Sequence, residues 1–107
     1  MKNIGELMRK AQMVQSQMNI LQTKLEQQEF EGVSGSGAVK ITLTGKGYPV
    51  KVSIDAAVVD KDDVETLEDL VLVALTDAKN KADETMAREV ERMQTSLGLP
   101  KNFKLPF

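Results

Sequence analysis

Lys10 and Lys24 lie fourteen residues apart, beside a run of apolar residues at Ile4, Leu7, Ala11, Val14, Met18, Leu21 and Leu25. The alternating steps of three and four define a 3.5-residue seam, so the segment reads as an α-helix. With Ile4 at heptad position a, both lysines fall at g, on the flank of the seam and roughly 21 Å apart. The e positions are Met8, Gln15 and Gln22, so a parallel second copy would leave both lysines without a counter-charge. Arg9 and Lys10 have only Glu6 between them, and Lys24 has no acid three or four residues away. Cations placed in this way suit phosphate or another anionic ligand. After Glu91 the chain has no acid, yet Arg92, Lys101 and Lys104 follow. The uncompensated positive charge therefore lies at the two ends of the chain, with Lys2 as a further candidate.

Other chemistries find little support. The chain has no Cys and no His, which removes thiol nucleophiles, imidazole bases, disulfides and the common zinc sites. Gly45-Lys46 is followed by Gly47 rather than Ser or Thr, and the glycines at 32, 35 and 37 do not follow the dinucleotide fingerprint. Both segments read as strand connections. Asp60, Asp62 and Asp63 lack the turn glycine and terminal Glu of an EF-hand, and helix capping accounts for them without a metal. No set of general acid, base and nucleophile can be assembled, so the chain is read as a non-enzyme. No cofactor and no small-molecule substrate are expected.

The net charge of −2 conceals an asymmetry. Seven acids, Asp55, Asp60, Asp62, Asp63, Glu65, Glu68 and Asp69, share fifteen residues with one cation, Lys61. Elsewhere nine acids face thirteen bases, a surplus of four positive charges that a dimer would present twice. The longest apolar run, Leu70 to Leu75, is too short for a bilayer, and the start has no run of signal-peptide length. The expectation is a soluble intracellular protein without membrane contact.

The elements that must position the cations follow from periodicity. At 107 residues the length prior is one domain, 1–107. The seam helix spans about 4–28, with Asn3 and Glu6 as a capping box. A three-stranded antiparallel sheet spans 30–55, beginning at Phe30. Val39-Lys40-Ile41-Thr42-Leu43-Thr44 and Val50-Lys51-Val52-Ser53-Ile54-Asp55 alternate cleanly around Gly45-Lys46-Gly47, which makes a hairpin. Its inward face is expected to carry Val39, Ile41, Leu43, Val50, Val52 and Ile54. A long helix over 62–97, capped by Asp62 and stopped by Gly98 and Pro100, leaves a tail at 98–107. Its first part should cover the sheet through Leu70, Val71, Val73, Ala74 and Leu75. Small residues at Ala74, Ala78 and Ala82 allow close approach of a helix or strand. Beyond Ala82 the apolar stripe thins to one residue per turn, as in a projecting arm or a helix pair. On that helix Asp77 precedes Lys81 by four residues and Glu84 precedes Arg88 by four, which favours ordinary pairs.

A set of weak motifs, in order along nearly the whole chain, carries a resemblance. They are Lys10-Ala11-Gln12 in a Met- and Gln-rich helix, Gly32-x-x-Gly35-x-Gly37-x-Val39-Lys40-x-Thr42-x-x-Gly45, and Val52-x-Ile54-Asp55. Leu67-Glu68-Asp69-Leu70-Val71 with Asp77-Ala78, and the ending Leu99-Pro100-x-x-Phe103-x-x-Pro106-Phe107, complete the set. Together they resemble the YbaB/EbfC family of bacterial nucleoid-associated proteins. Tyr48-Pro49 departs from common members, as does Ala56-Ala57-Val58-Val59 where Asp-Pro-x-Leu-Leu is usual. The resemblance implies an α+β fold, an α-β-β-β-α protomer in a tweezer-like homodimer, and binding of double-stranded DNA through the helical arms.

On this reading the chain is cytoplasmic, at the nucleoid, and binds DNA mainly through phosphates. The candidate contacts are Arg9, Lys10, Lys24, Arg92, Lys101 and Lys104. Neutralising six phosphates would give log K against log salt a slope of about −5. The competing reading is a dimeric helical clamp for a partner peptide, with Met8, Met13, Met18 and Met86 as an adaptable surface. The seam itself needs a helix partner, either the long second helix or a second copy.

Overall fold

A computed structural model describes residues 4–99 of the chain. Helix α1 spans Ile4–Gln27, strands β1, β2 and β3 span Glu29–Ser34, Val39–Thr44 and Pro49–Ile54, and helix α2 spans Val64–Ser96. The order is α-β-β-β-α, an α+β fold with an antiparallel sheet in strand order β1-β2-β3. Asn3, proposed as a cap, and the tail beyond Leu99 lie outside the described residues.

β1 and β2 are joined by a single 3₁₀ turn, Gly35–Gly37, in which Gly35, Ser36 and Gly37 all have positive φ. Two glycines make that path accessible, and Ser36 is the one side-chain-bearing residue held there. β2 and β3 follow the register Val39↔Ile54 and Ile41↔Val52, so these side chains share a face, as alternation requires. Between the pairs Thr42↔Lys51 and Leu43↔Pro49 the register shifts, leaving Val50 as an extra residue on β3.

The cover over that face differs from expectation. Val39, Ile41 and Leu43 are buried with Ala74 and Ala78, against Leu67, Leu70, Val71 and Val58. Val50, Val52 and Ile54, expected to point into the core, are 49%, 56% and 40% exposed. The alternation is right but the cover is narrow, because α2 crosses β1 and β2 and leaves β3 bare. Val73 and Leu75, expected to cover the sheet, are likewise exposed, at 55% and 40%.

What holds α2 so close to β1 is the absence of a side chain at Gly32. A Cβ there would collide with the carbonyl oxygen of Ala74 and the amide nitrogen of Ala78, both helix backbone. Gly32 and the alanines at 74 and 78 are thus two halves of one contact. The contact also seals the outer edge of the sheet. The Val33 N–H donates to Asp77 Oδ2 at 3.0 Å, and Lys81 Nζ donates to the Glu31 carbonyl at 2.8 Å. Ser34, buried at the strand end, donates its hydroxyl to the Leu70 carbonyl at 2.6 Å. Edge strand β1 therefore has two of its outward backbone groups, the Val33 N–H and the Glu31 carbonyl, occupied by α2 side chains, whereas β3 is exposed along its length.

The N-terminus of α2 also differs by one residue. Asp60 accepts from the Asp62 N–H at 2.9 Å, and this turn delivers Asp63, not Asp62, to the cap. Asp63 accepts from the Thr66 amide at 3.3 Å and from its hydroxyl at 2.7 Å. A short acidic run with several possible caps is resolved by the preceding turn.

Beyond the sheet, α1 runs back along the second half of α2. Val14, Met18, Leu21, Leu25 and Phe30 form a second core with Ala82 and Met93, bordered by Met86, Val90, Leu97 and Leu99. The thinned stripe of α2 is thus one side of a helix pair, and the seam from Val14 to Leu25 finds its partner within the same chain. The hairpin loop is pinned to α1 by Lys46 and Glu26, 3.0 Å apart, and this pairing raises the Lys46 pKa above its ordinary 10.5. The molecule measures 71 × 23 × 17 Å, with the sheet carrying a long two-helix arm.

Candidate nucleic-acid interface

The arm has two sections. From Val14 to Leu25 the seam is buried against α2, but Ile4 and Leu7 are 64% and 65% exposed and Ala11 is exposed too. Arg9 and Lys10 sit on this first section, exposed, and neither forms an ion pair among the described residues. These two cations match the free charge that their sequence context suggested.

Lys24 and Arg92 are brought together by the helix pair, but around an acid. Lys24 Nζ lies 3.0 Å from Glu89 Oε1, and Arg92 Nη1 lies 2.8 Å from Glu89 Oε2. Sequence neighbours alone suggested that Lys24 was unpaired; its partner lies 65 residues away on α2. The cations remain 60% and 75% exposed while Glu89 is only 15% exposed, so the cations face water and the carboxylate lies beneath them. The hydrogen bond from Lys24 is the main cause holding the Glu89 pKa below its ordinary 4.5, with Arg92 and Arg88 adding to it. A groove of about 330 Å³ opens beside this triad, floored by Ile20, Leu21, Met93 and Leu97. Lys101 and Lys104 lie outside the described residues.

The other charged positions divide differently. Lys81 pairs with Asp77 at 3.2 Å as its spacing suggested, and also serves the β1 edge. Arg88 donates to Thr85 Oγ1 at 3.2 Å instead of meeting Glu84. Lys79 pairs with Asp83. Of the methionines considered as an adaptable surface, Met18 is 1% exposed and Met86 packs on the second core, leaving Met8 and Met13 outside. Sequence reasoning missed Glu89 as the hub of the arm. Its spacing of three from Arg92 was visible, but the lysine across the helix pair was not.

Two predictions follow from these charges. Replacing Glu89→Gln removes the carboxylate beneath Lys24 and Arg92, so phosphate binding should strengthen, and the salt slope should steepen by about one to two, in a titration of labelled duplex. Acid should loosen the arm and the sheet edge together. The Val33 N–H first, and Lys81 second, hold Asp77 below its ordinary 3.8, so both Asp77 and Glu89 are depressed in the folded chain. Their contributions are complete above the ordinary carboxylate values and are lost as pH falls through the depressed ones. Thermal unfolding followed from pH 7 to pH 2 should show a loss of stability confined to the region below about pH 4.5.

The class the structure defines is a small α-β-β-β-α protein with a sheet at one end and, at the other, a two-helix arm on which Arg9 and Lys10 are exposed and in no ion pair among the described residues. The chain belongs to the YbaB/EbfC DNA-binding family, whose profile matches residues 1–97. It is 50% identical to a nucleoid-associated protein of Paramagnetospirillum magneticum and 48% identical to one of Rhodospirillum centenum, over 107 residues and the full length of each. The fold is similar to the crystal structure of an uncharacterized Helicobacter pylori protein, with a TM-score of 0.75 and 20% identity. That likeness covers 87% of this chain and 98% of the other. No helix among the described residues is long and apolar enough to cross a membrane.

Proposed function

We propose that this chain binds double-stranded DNA as a homodimer, mainly through phosphate contacts from its arms, and so influences nucleoid organisation or gene expression. The observation that supports the reading is the pair of exposed cations, Arg9 and Lys10, on the far section of the arm, neither in an ion pair among the described residues. Lys24 and Arg92 extend the same surface as cations tethered to Glu89, available where phosphate outcompetes the carboxylate. Lys101 and Lys104 are assigned to the same set by charge. Nothing in this arrangement is an array for reading base edges, so shape and charge dominate over sequence.

The uncovered sheet face supports the dimer. Val52 and Ile54 lie on the strand that α2 leaves bare, and by helical spacing Leu72 and Leu75 lie on the flank of α2 opposite the Asp77 and Lys81 that guard β1. All four are between 40% and 61% exposed, and the strand beside them has an open edge. A second copy supplies the same apolar surface and the same open edge, which makes a two-fold contact self-complementary. The dimer then carries two arms and doubles the basic surface.

Anisotropy of a labelled 30-base-pair duplex, titrated with protein between 50 and 200 mM salt, tests the reading. Affinity that falls steeply across this range supports it. Affinity independent of salt, or no binding at low salt, contradicts it and favours a peptide-binding clamp.

A further inference from the structure

Two lysines on the sheet take no part in the arm. We propose that the outer face of the sheet, turned away from α2, binds the phosphates of a second duplex through Lys40 and Lys51, so that the protein bridges two DNA segments. Along β2 the inward residues Val39, Ile41 and Leu43 are buried, whereas Lys40 is exposed and Thr42 half-buried on the opposite side. The register pairs Lys40 with Ser53 and Thr42 with Lys51. These four residues therefore stand at the corners of one square on the outer face, the lysines on one diagonal and the hydroxyls on the other. Diagonal neighbours on adjacent strands lie about 7 Å apart, so two positive charges and two hydroxyl donors share a patch that one stretch of sugar-phosphate backbone can cover.

The charge of this patch is unspent. Lys46, Lys79 and Lys81 each lie within 3.2 Å of a carboxylate, but Lys40 and Lys51 are in no ion pair among the described residues. The acids on the same face, Glu29 and Glu31, stand on β1. Thr42 separates Glu31 from Lys51, and Glu31 forms no ion pair with its diagonal neighbour Lys40. Helix α2 packs on the inner face. The two-fold contact at Val52 and Ile54 uses the inner face too and leaves the outer face of both protomers open.

An acidic junction assigns the patch to a separate duplex. Helix α1 carries no acid between Arg9 and Lys24, but Glu26, held by Lys46, and then Glu29 and Glu31 follow at the passage to the sheet. A phosphate backbone engaged at Arg9 and Lys10 would have to pass Glu29 and Glu31 to reach Lys40. The path from Lys10 along α1 to Gln27, and along β1 to the level of Lys40, covers roughly 40 Å of a molecule 71 Å long. Basic surfaces at its two ends, with carboxylates between them, suit two duplexes better than one. The bridge rests on the DNA-binding reading of the arm.

Capture of a labelled 30-base-pair duplex by full-length protein on beads that carry a second, biotinylated duplex tests the bridge, and anisotropy of the labelled duplex alone tests the arm. Lys40→Gln with Lys51→Gln should lower capture about fivefold or more at low salt, while single-duplex affinity and the thermal midpoint match the wild type. Lys40→Arg with Lys51→Arg keeps the charge and should capture as the wild type does. Arg9→Gln with Lys10→Gln should weaken both signals. Three results overturn the bridge and leave DNA binding intact: wild-type protein that binds one duplex but captures no second, a glutamine variant that captures as well as the wild type, or one whose single-duplex affinity falls in step with capture. Wild-type protein that binds no single duplex overturns the DNA-binding reading itself, and the bridge with it.

Discussion

Val52→Asp should convert the protein from a dimer to a monomer. Light scattering is expected to fall from about twice the chain mass to 11.8 kDa, with the circular dichroism of the fold retained. Val52 is 56% exposed in the single chain, so an aspartate there costs the isolated protomer little. In a two-fold contact across β3 and α2, however, the change places two carboxylates in an apolar interface, where unpaired charge is not tolerated. The effect on DNA should be large as well. Separating the arms turns a bivalent ligand into a monovalent one and should lower apparent affinity by roughly a hundredfold. Lys51, the neighbour of Val52 whose side chain falls on the other face of the sheet by alternation, provides the control: Lys51→Gln should leave the mass unchanged. If Val52→Asp remains dimeric, the second copy does not sit on this face.

Gly32→Ala should be the most damaging single methyl group that can be added to the fold. Its Cβ would enter the backbone of α2 at Ala74 and Ala78, and neither a carbonyl nor an amide of a continuous helix can rotate away. The helix must lift from β1, opening the core that Ala74, Ala78, Val39, Ile41 and Leu43 share and straining the Asp77 and Lys81 bonds to the strand edge. A cost of about 3 kcal/mol is expected, appearing as a fall of about 10–20 °C in the midpoint of thermal unfolding. Gly5→Ala is the matching control, because its Cβ meets nothing within 4 Å and the position is an exposed turn of α1. It should leave the midpoint unchanged or raise it slightly. Equal effects of the two substitutions would mean that α2 does not press on β1 as described.

Helix α1, the hairpin and helix α2 were legible in the sequence because each carries its own period over many residues. The seam from Ile4 to Leu25 announced a helix pair, and the alternation around Gly45-Lys46-Gly47 placed Val52 on the face of Ile41. Periodicity tells which side chains share a face, but not where the axis of another element passes. The narrow cover over the sheet was therefore invisible: Val50, Val52 and Ile54 read as core residues, yet α2 follows the track set by Gly32 on the far strand. The cap of α2 slipped by one residue for a similar reason, since the turn at Asp60 chose among several carboxylates.

The charged positions divide along the same line. Pairs within a helix, such as Asp77 with Lys81, follow from spacing, and Arg9 and Lys10 are in no ion pair among the described residues, as their neighbours implied. Lys24 did not, because its carboxylate comes from Glu89 on the other helix, and only the packing of the arm brings them within 3.0 Å. The methionines show the same limit. Met18 and Met86 are interior because the seam closes on α2, whereas Met8 lies on the section that α2 does not reach.

The central claim is that cations at the far section of the arm meet phosphate. Its most direct test is the salt slope of duplex binding for the wild type against Arg9→Gln with Lys10→Gln, measured on the same non-specific duplex from 50 to 200 mM salt. Each cation that neutralises a phosphate contributes about 0.9 to the slope, so the double variant of a dimer with both arms engaged should lose about three to four. Its affinity at 100 mM salt should fall by at least tenfold while its mass and thermal midpoint stay unchanged. A double variant that retains both the slope and the affinity of the wild type would contradict the account.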